Sequence, residues 1–389
     1  MEPVIDETVA TLLGATKGPC ISIYMPTHRH FPDAGKDAIR YKNVLKQVRD
    51  ELGGKGVNGD AKRLLADLAE LEGDRQFWNH QLDTLAVFKS PEVHIVKPLH
   101  RPTAEPLIEV ANSFHVKPLI RLLQTSGRYQ LLGISQKSVR VYEGDRDQLA
   151  ELPLHPDVPR SLTDAAGEEI AAGEQSFSKH GGIQNQTMVN SHHDKSDDRD
   201  IDLEKFLLAV DGAVIEHFSR LSKLPLILAA DVDYHHRFRK HSRNPWLHEK
   251  GIEIDPTSAH VSIDDLRRRA AEIIKQDYDR ETRTLVDDFE TAKAQQQATD
   301  DLRLIGMHAI ASGIKTLIVD GDQQRGGRVD PETGDILFED RSDPHVGDVL
   351  DDLAEMTLRR GGRVRVLPSD LMPSQTGAAA VLRYQLKTS

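Results

Sequence analysis

The 389-residue chain has one cysteine, Cys20. No intramolecular disulfide and no cysteine-rich zinc site can be built from it, and a reducing, cytoplasmic setting is expected. It has no apolar run of about 18 residues, the length a membrane-crossing helix needs. Met1 to Ala10 carries acids where a secretory signal carries a basic and then an apolar stretch, so no membrane partner is expected. A cationic excess is missing too. The 50 Lys+Arg stand against 62 Asp+Glu, a formal charge of -12, which argues against a protein that coats DNA or RNA through a basic surface. Any RNA contact is confined to local patches. Gly326-Gly327-Arg328 lacks the lysine and the spacing of a phosphate-cradling loop, and there is no serine nucleophile elbow. No cofactor is expected.

At about 150 residues per domain, the length allows two or three domains. With 38% hydrophobic and 5% aromatic residues, each can fold while leaving well-solvated surfaces or an exposed loop. Cys20 to Met25 alternates like a strand. A helix is expected from about Asp37 to Leu52, burying Ile39, Val44, Leu45, Val48 and Leu52. Another near Asp60 to Leu71 leads to strands Thr84 to Phe88 and Val93 to Val96. Tyr129 to Ser135 and Ser138 to Tyr142 read as a β-hairpin, extended by Gln148 to Leu154. From Pro156 to Asp200 aliphatic residues are few, and a long loop is expected. A helix from about Asp202 carries Leu203, Phe206, Leu207, Val210, Val214, Phe218 and Leu221 at helical spacing, and Leu224 to Ala230 reads as a buried parallel strand. A long helix from Ser262 to roughly Gln296 follows. Next come a helix capped by Thr299, the strand Thr316 to Asp320, a helix started by Asp343-Pro344, and strands Arg363 to Leu367 and Ala379 to Tyr384. The expected fold is α/β, with domains at 1–125, 126–258 (including the loop 156–200) and 259–389, the last a three-layer α/β/α sandwich.

Three blocks in order carry a family resemblance. They are Ile21-Ser-Ile-Tyr-Met-Pro-Thr-His-Arg29 with Ile39-Arg-Tyr-Lys-Asn43, the hairpin Tyr129 to Tyr142 ahead of a His-Gly-Gly stretch and Pro225-Leu-Ile-Leu-Ala229, and the closing segment Asp348 to Tyr384. Over nearly the whole chain they resemble the bacterial branch of the archaeo-eukaryotic class-1 release factor and pelota superfamily. The resemblance implies an N-terminal α/β domain peculiar to that branch, a central ribonuclease-H-like domain, and a C-terminal domain like the ribosomal proteins that bind kink-turn RNA. It implies a role in ribosome rescue or hibernation, with the bacterial ribosome, ribosomal RNA and a translational GTPase as partners. Terminating members use a Gly-Gly-Gln loop, whose glycines let the backbone approach the tRNA end and whose glutamine positions the hydrolytic water. Here the stretch reads Lys179-His180-Gly181-Gly182-Ile183-Gln184, then Asn185 and Gln186. Ile183 displaces the glutamine by one residue. The expected role is therefore occupancy of the tRNA site without hydrolysis. The enzymatic alternative is a peptidyl-tRNA hydrolase using Gln184 or Gln186. A third reading is a stress-response module that binds a protein or small ligand away from the ribosome.

Candidate contacts to ribosome or RNA are Lys179, His180, Gly181, Gly182 and Gln184, together with His235, His236, Arg237, Arg239, Lys240 and Arg243 beside Trp246. In the second group cations can meet phosphates and an aromatic can stack on a base; a solvated helix face with Phe238 and Trp246 in the core explains the same pattern. Arg267 to Arg269 shares that ambiguity. Thr27, His28, Arg29, Arg40 and Lys42 form an N-terminal polar cluster at a strand end, suited to a ligand or to capping and salt bridging. His192-His193-Asp194 and the acids after it suggest a metal, but adjacent histidines without a scaffold rarely converge, and acids before a helix answer to its dipole; no metal site is expected. Two-metal ribonuclease chemistry would need carboxylates on the strands. Tyr129 to Ser135 has none, and Glu143 and Asp145 lie at the hairpin end.

Overall fold

The computed structural model describes residues 7–15, 18–29, 33–54, 61–99, 103, 105–125, 127–164, 194–256, 258, 260–340 and 346–384. The architecture is mixed α/β with several sheets, divided into two compact units: residues 1–126 with 281–389, and residues 127–280.

The first unit begins with α1 (Glu7–Gly14), β1 (Cys20–Pro26), α2 (Asp37–Gly54), α3 (Ala61–Ala69), the short α4 (Arg75–Trp78), β2 (Thr84–Lys89), β3 (His94–Leu99), β4 (Leu107–Ala111) and α5 (Lys117–Gln124). The strands form an antiparallel sheet in the order β3-β2-β1-β4. Strand alternation in β1 sends Ile21, Ile23 and Met25 under α2 and α3, and turns Cys20 and Tyr24 to the opposite face. Ile39, expected in the core, is 64% exposed. The buried stripe of α2 is Tyr41, Val44, Leu45, Val48 and Leu52. Ile39 precedes Tyr41 by two positions, which at about 100° per residue puts it on the far side of the helix.

The second unit holds β5 (Tyr129–Ile134), β6 (Val139–Gly144), β7 (Leu149–Leu152), α6 (Asp194–Val214), β8 (Leu226–Ala230), α7 (Val232–His241), β9 (Ile252–Glu253) and the first part of α8 (Ile263–Ala294). Its sheet runs β7-β6-β5-β8-β9; the first three strands are antiparallel and β5, β8 and β9 are parallel. This is the ribonuclease-H-like sheet expected for the middle of the chain. Phe206, Leu207, Val210 and Val214 of α6 cover one face, and Leu266 and Ala270 of α8 the other. The helix starts at Asp194 rather than near Asp202. It continues through a π-turn, Ile215–Ser219, to a last turn, Arg220–Ser222. The wider turn shifts the stripe beyond it, and Leu221, expected to pack, is 77% exposed.

The chain then returns to the first unit with β10 (Ala298–Thr299), α9 (Leu302–Ile310), β11 (Ile314–Asp320), β12 (Gly327–Val329), β13 (Ile336–Phe338), α10 (Val349–Arg359), β14 (Arg363–Leu367) and β15 (Ala378–Leu382). A second sheet, β10-β15-β11-β14, lies between helices. Ile318, Leu367 and Ala379 meet Phe289 of α8 on one face. Leu317, Val319, Val366, Ala378 and Ala380 join α9 and α10 on the other, giving the expected α/β/α layering. Asp301, not Thr299, caps α9, accepting from Arg303 N and Leu304 N. Asp348 caps α10; the expected start at Asp343-Pro344 lies outside the described residues.

One apolar cluster runs through both ends of this unit, joining Cys20, Tyr24, Phe88 and Leu119 to Leu317, Val349, Leu353 and Val366. A buried polar seam accompanies it. Lys117 Nζ, its side chain 2% exposed, lies 2.6 Å from Asp348 Oδ2 and donates to Gln323 O at 2.6 Å. Asp348 Oδ1 accepts from Arg325 N and Leu350 N, and Lys117 N donates to Asp351 Oδ1. Burial presses the His115 imidazole pKa down, but Asp351 and Asp348 outweigh it, and the net shift is upward. The Gln124 side chain bonds Val364 O and Val366 N of β14 at 2.7 and 2.9 Å, completing the backbone hydrogen bonding of that strand.

Removing one member of a buried pair leaves the other's charge desolvated. Lys117→Met is therefore expected to lower the unfolding free energy in urea by about 3–5 kcal/mol, and adding Asp348→Asn to recover part of it; a loss below about 1 kcal/mol would remove the pair from this role. Two helical glycines should respond with opposite sign. A Cβ on Gly306 would sit 2.2 Å from Gly334 O, whereas one on Gly212 meets nothing within 4 Å. In thermal melts Gly306→Ala should lower the midpoint, and Gly212→Ala should raise it through a gain of about 0.5–1 kcal/mol.

Candidate nucleic-acid interface

Lys179, His180, Gly181, Gly182, Gln184 and Gln186, with His192 and His193, lie outside the described residues. Among the described ones, the basic segment after β8 folds as α7 and the coil that follows it. Asp231 caps α7 by accepting from Tyr234 N at 2.9 Å. The first turn then sets His235 against the sheet and His236 toward solvent.

His235 is 7% exposed. Its Nε2 lies 3.1 Å from Leu228 O, and its Nδ1 accepts from Arg239 Nε at 3.2 Å. These partners require the neutral ring protonated on Nε2, and burial lowers its pKa accordingly. His235 is thus a packing residue that positions Arg239. Gly251 makes this possible, since a Cβ there would lie 2.3 Å from the His235 ring. Phe238 is in the core and Trp246 is half-buried. Arg237 pairs with Asp233. His236, Lys240 and Arg243 are exposed.

Between α7 and α8, beside β9, lies an open groove of about 540 Å³ lined by His236, Arg239, Lys250, Gly251 and Glu253. A neighbouring hollow of about 580 Å³ adds Arg268, Arg269 and Glu272. Arg239 Nη1 donates to His248 O at 2.8 Å, while its buried Nη2 has no hydrogen-bond partner among the described residues. The lining mixes cations with the carboxylates Glu249, Glu253 and Glu272. Such a surface suits a few positioned phosphate contacts rather than a continuous electrostatic track. Sequence reasoning missed Lys250 and Glu253 and noted Arg268 and Arg269 only as ambiguous. The signal available was Gly251 among charges just before a short strand.

The N-terminal cluster assembles, but around acids. His28 N donates to the buried Asp37 Oδ2 at 2.7 Å, and Arg40 Nη1 lies 2.9 Å from both Asp37 Oδ1 and His28 Nδ1. Arg29 grips Asp83 bidentately at 2.7 Å, and Thr27 Oγ1 donates to Leu82 O. Lys42 is exposed on α2, away from these bonds. The geometry is that of a braced strand end. At the hairpin end, Asp145 accepts from Asp147 N and Gln148 N as a turn residue, and Glu143 pairs with Arg128. Among the described residues one group has the donors for a metal: His155, Asp157 and His217.

Residues 128–312 match the bacterial archaeo-eukaryotic release factor family 3. No curated protein matches the sequence. Solved structures similar to the chain include an archaeal translation termination factor, aRF1 (12% identity, 97% of this chain and 96% of that one, TM-score 0.24). Ribosome-bound archaeal Pelota is another (12%, 77% and 75%, TM-score 0.42). A third is Dom34 of S. cerevisiae, a translation termination-like factor interacting with Hbs1 (12%, 78% and 81%, TM-score 0.37). Over residues 128–312, just under half of its length, the chain is similar to the bacterial archaeo-eukaryotic release factor family 3.

Proposed function

We propose that the protein is a release-factor-like ribosome-binding factor of the bacterial cytoplasm, acting in rescue or hibernation by occupying the tRNA site without hydrolysing peptidyl-tRNA. In this reading the segments 1–125, 126–258 and 259–389 are its three functional parts. The observation that carries it is the family match over residues 128–312, which encloses Lys179-His-Gly-Gly-Ile-Gln184. The paired glycines keep the freedom needed to approach an RNA end. Ile183 puts an apolar branched side chain where the glutamine of a hydrolytic loop would follow, so positioning of an attacking water is lost while close approach is kept.

The groove beside β9 supports the same reading as an accessory contact. Its exposed Arg269 and His236, with Arg268 and Lys250 beside their partners Asp265 and Gln276, offer donors to phosphate oxygens on a surface whose net charge stays modest. A translational GTPase is the protein partner that the family resemblance implies.

Co-sedimentation with bacterial ribosomes tests the reading. The protein is expected in the ribosomal fraction at low salt, with an affinity that falls as salt rises. Arg268→Ala combined with Arg269→Ala should weaken binding and flatten the log–log salt slope by roughly 0.7–0.9 per lost phosphate contact. A model peptide on stalled ribosomes should not be released. Absence from the ribosomal fraction at low salt would overturn the proposal in favour of binding to another protein or a small ligand, and release abolished by Gln184→Ala would convert it into a hydrolase.

A further inference from the structure

His155 and Asp157 lie in the coil after β7, and His217 lies in the π-turn Ile215–Ser219. π-Turns are rare interruptions of a helix and recur at functional sites. Asp157 N donates to His155 Nδ1 at 3.3 Å. A backbone N–H can only donate, so His155 Nδ1 is an acceptor and the ring proton is on Nε2. That lone pair stands 3.4 Å from Asp157 Oδ2, which leaves two electron-rich atoms facing each other with no proton between them. His217 Nε2 reaches the same carboxylate oxygen at 2.9 Å. The two imidazoles stack with centroids 3.6 Å apart and planes 11° apart, an arrangement that disfavours both rings being cationic. The cluster therefore gathers two imidazole nitrogens around one carboxylate oxygen.

We infer that His155, Asp157 and His217 form a binding site for a divalent transition-metal ion, with zinc the best fit. Ligand atoms bound about 2.0–2.2 Å from a tetrahedral ion are separated by roughly 3.3–3.5 Å. The nitrogen–oxygen separations of 3.4 and 2.9 Å are close to these values, and one imidazole must turn out of the stack for both in-plane lone pairs to meet at the ion. Imidazole with carboxylate selects a borderline metal over magnesium or calcium, which take oxygen donors. On binding, the His217 ring proton passes through solvent from Nε2 to Nδ1, so that a neutral imidazole offers its Nε2 lone pair, and His155 Nδ1 gives up its hydrogen bond from Asp157 N to offer its own. Three protein ligands leave one position of a tetrahedral set for water. The ligands come from segments 60 residues apart in the chain. The ion would tie the coil after β7 to the helix at its π-turn by a link independent of the sheet. From sequence, only His192, His193 and the acids after them drew a metal reading. The second unit brings together a different set.

The test is titration of the full chain with zinc sulfate against a chromophoric chelator, and with cobalt(II) chloride read by its visible absorption. One equivalent of each ion should bind, with cobalt giving the intense bands of tetrahedral coordination. Affinity should fall roughly tenfold or more in His155→Ala and in His217→Ala, while circular dichroism of these surface variants stays unchanged. Substituting His192 and His193 by alanine should leave it intact. Failure to bind either ion at tens of micromolar would overturn the proposal, as would binding that His155→Ala and His217→Ala leave unaltered, which would place the ion elsewhere.

Discussion

An ammonium group with 2% of its side chain exposed stays charged only if the protein replaces the water it gave up. Lys117 meets that condition with a carboxylate oxygen and a carbonyl oxygen, both 2.6 Å away and both supplied by residues more than 200 positions later. Asp348 is in turn held by two backbone N–H groups while it caps α10. The pair makes the same demand on both ends of the chain, because neither charge is tolerable without the other. Around it the apolar cluster joins β1, β2 and α5 to β11, β14 and α10, and Gln124 fastens α5 to β14 through two main-chain hydrogen bonds. A solvated polar surface at the same place would permit the two ends to fold separately; the buried pair does not.

How much of this is legible in the sequence depends on the range over which each signal acts. The hairpin Tyr129 to Tyr142 and the strand Leu226 to Ala230 are readable because alternation and unbroken apolar runs are local and survive into the fold. The buried face of α2 is readable as a stripe, and Ile39 fails only because one apolar residue off the stripe looks the same in composition. Leu221 fails because a π-turn changes the period in mid-helix. Lys117 gives no signal at all: nothing local marks one lysine among many as the partner of an aspartate 231 residues away. The candidate site shows the same division. The cationic character of residues 235–243 is plain from sequence, yet His235 turns inward because Leu228 O and Gly251 receive it. The groove needs β9 and α8 to exist before Lys250, Arg268 and Arg269 can share it.

The charge of -12 acquires a spatial meaning from these details. Several cations that look available in sequence are engaged: Arg29 by Asp83, Arg237 by Asp233, Arg40 by Asp37, Lys117 by Asp348. At the groove, too, Arg268 pairs with Asp265 and Lys250 donates to Gln276, and the cations share the lining with glutamates. Long-range attraction to a polyanion is therefore weak.

The shared core also sets an order of events during synthesis. Residues 127–280 contain both faces of their own sheet and can close as soon as they are made. The face of the first sheet that carries Tyr24 and Phe88 closes only in part, under α1, Phe114 and α5, because the rest of its cluster lies beyond position 300. At about 5–20 residues per second, the stretch between Gln124 and Asp348 takes roughly ten to forty-five seconds to translate. For that interval Lys117 has no Asp348 and part of the N-terminal apolar cluster lacks its later-made partners, which leaves that surface to transient self-collapse.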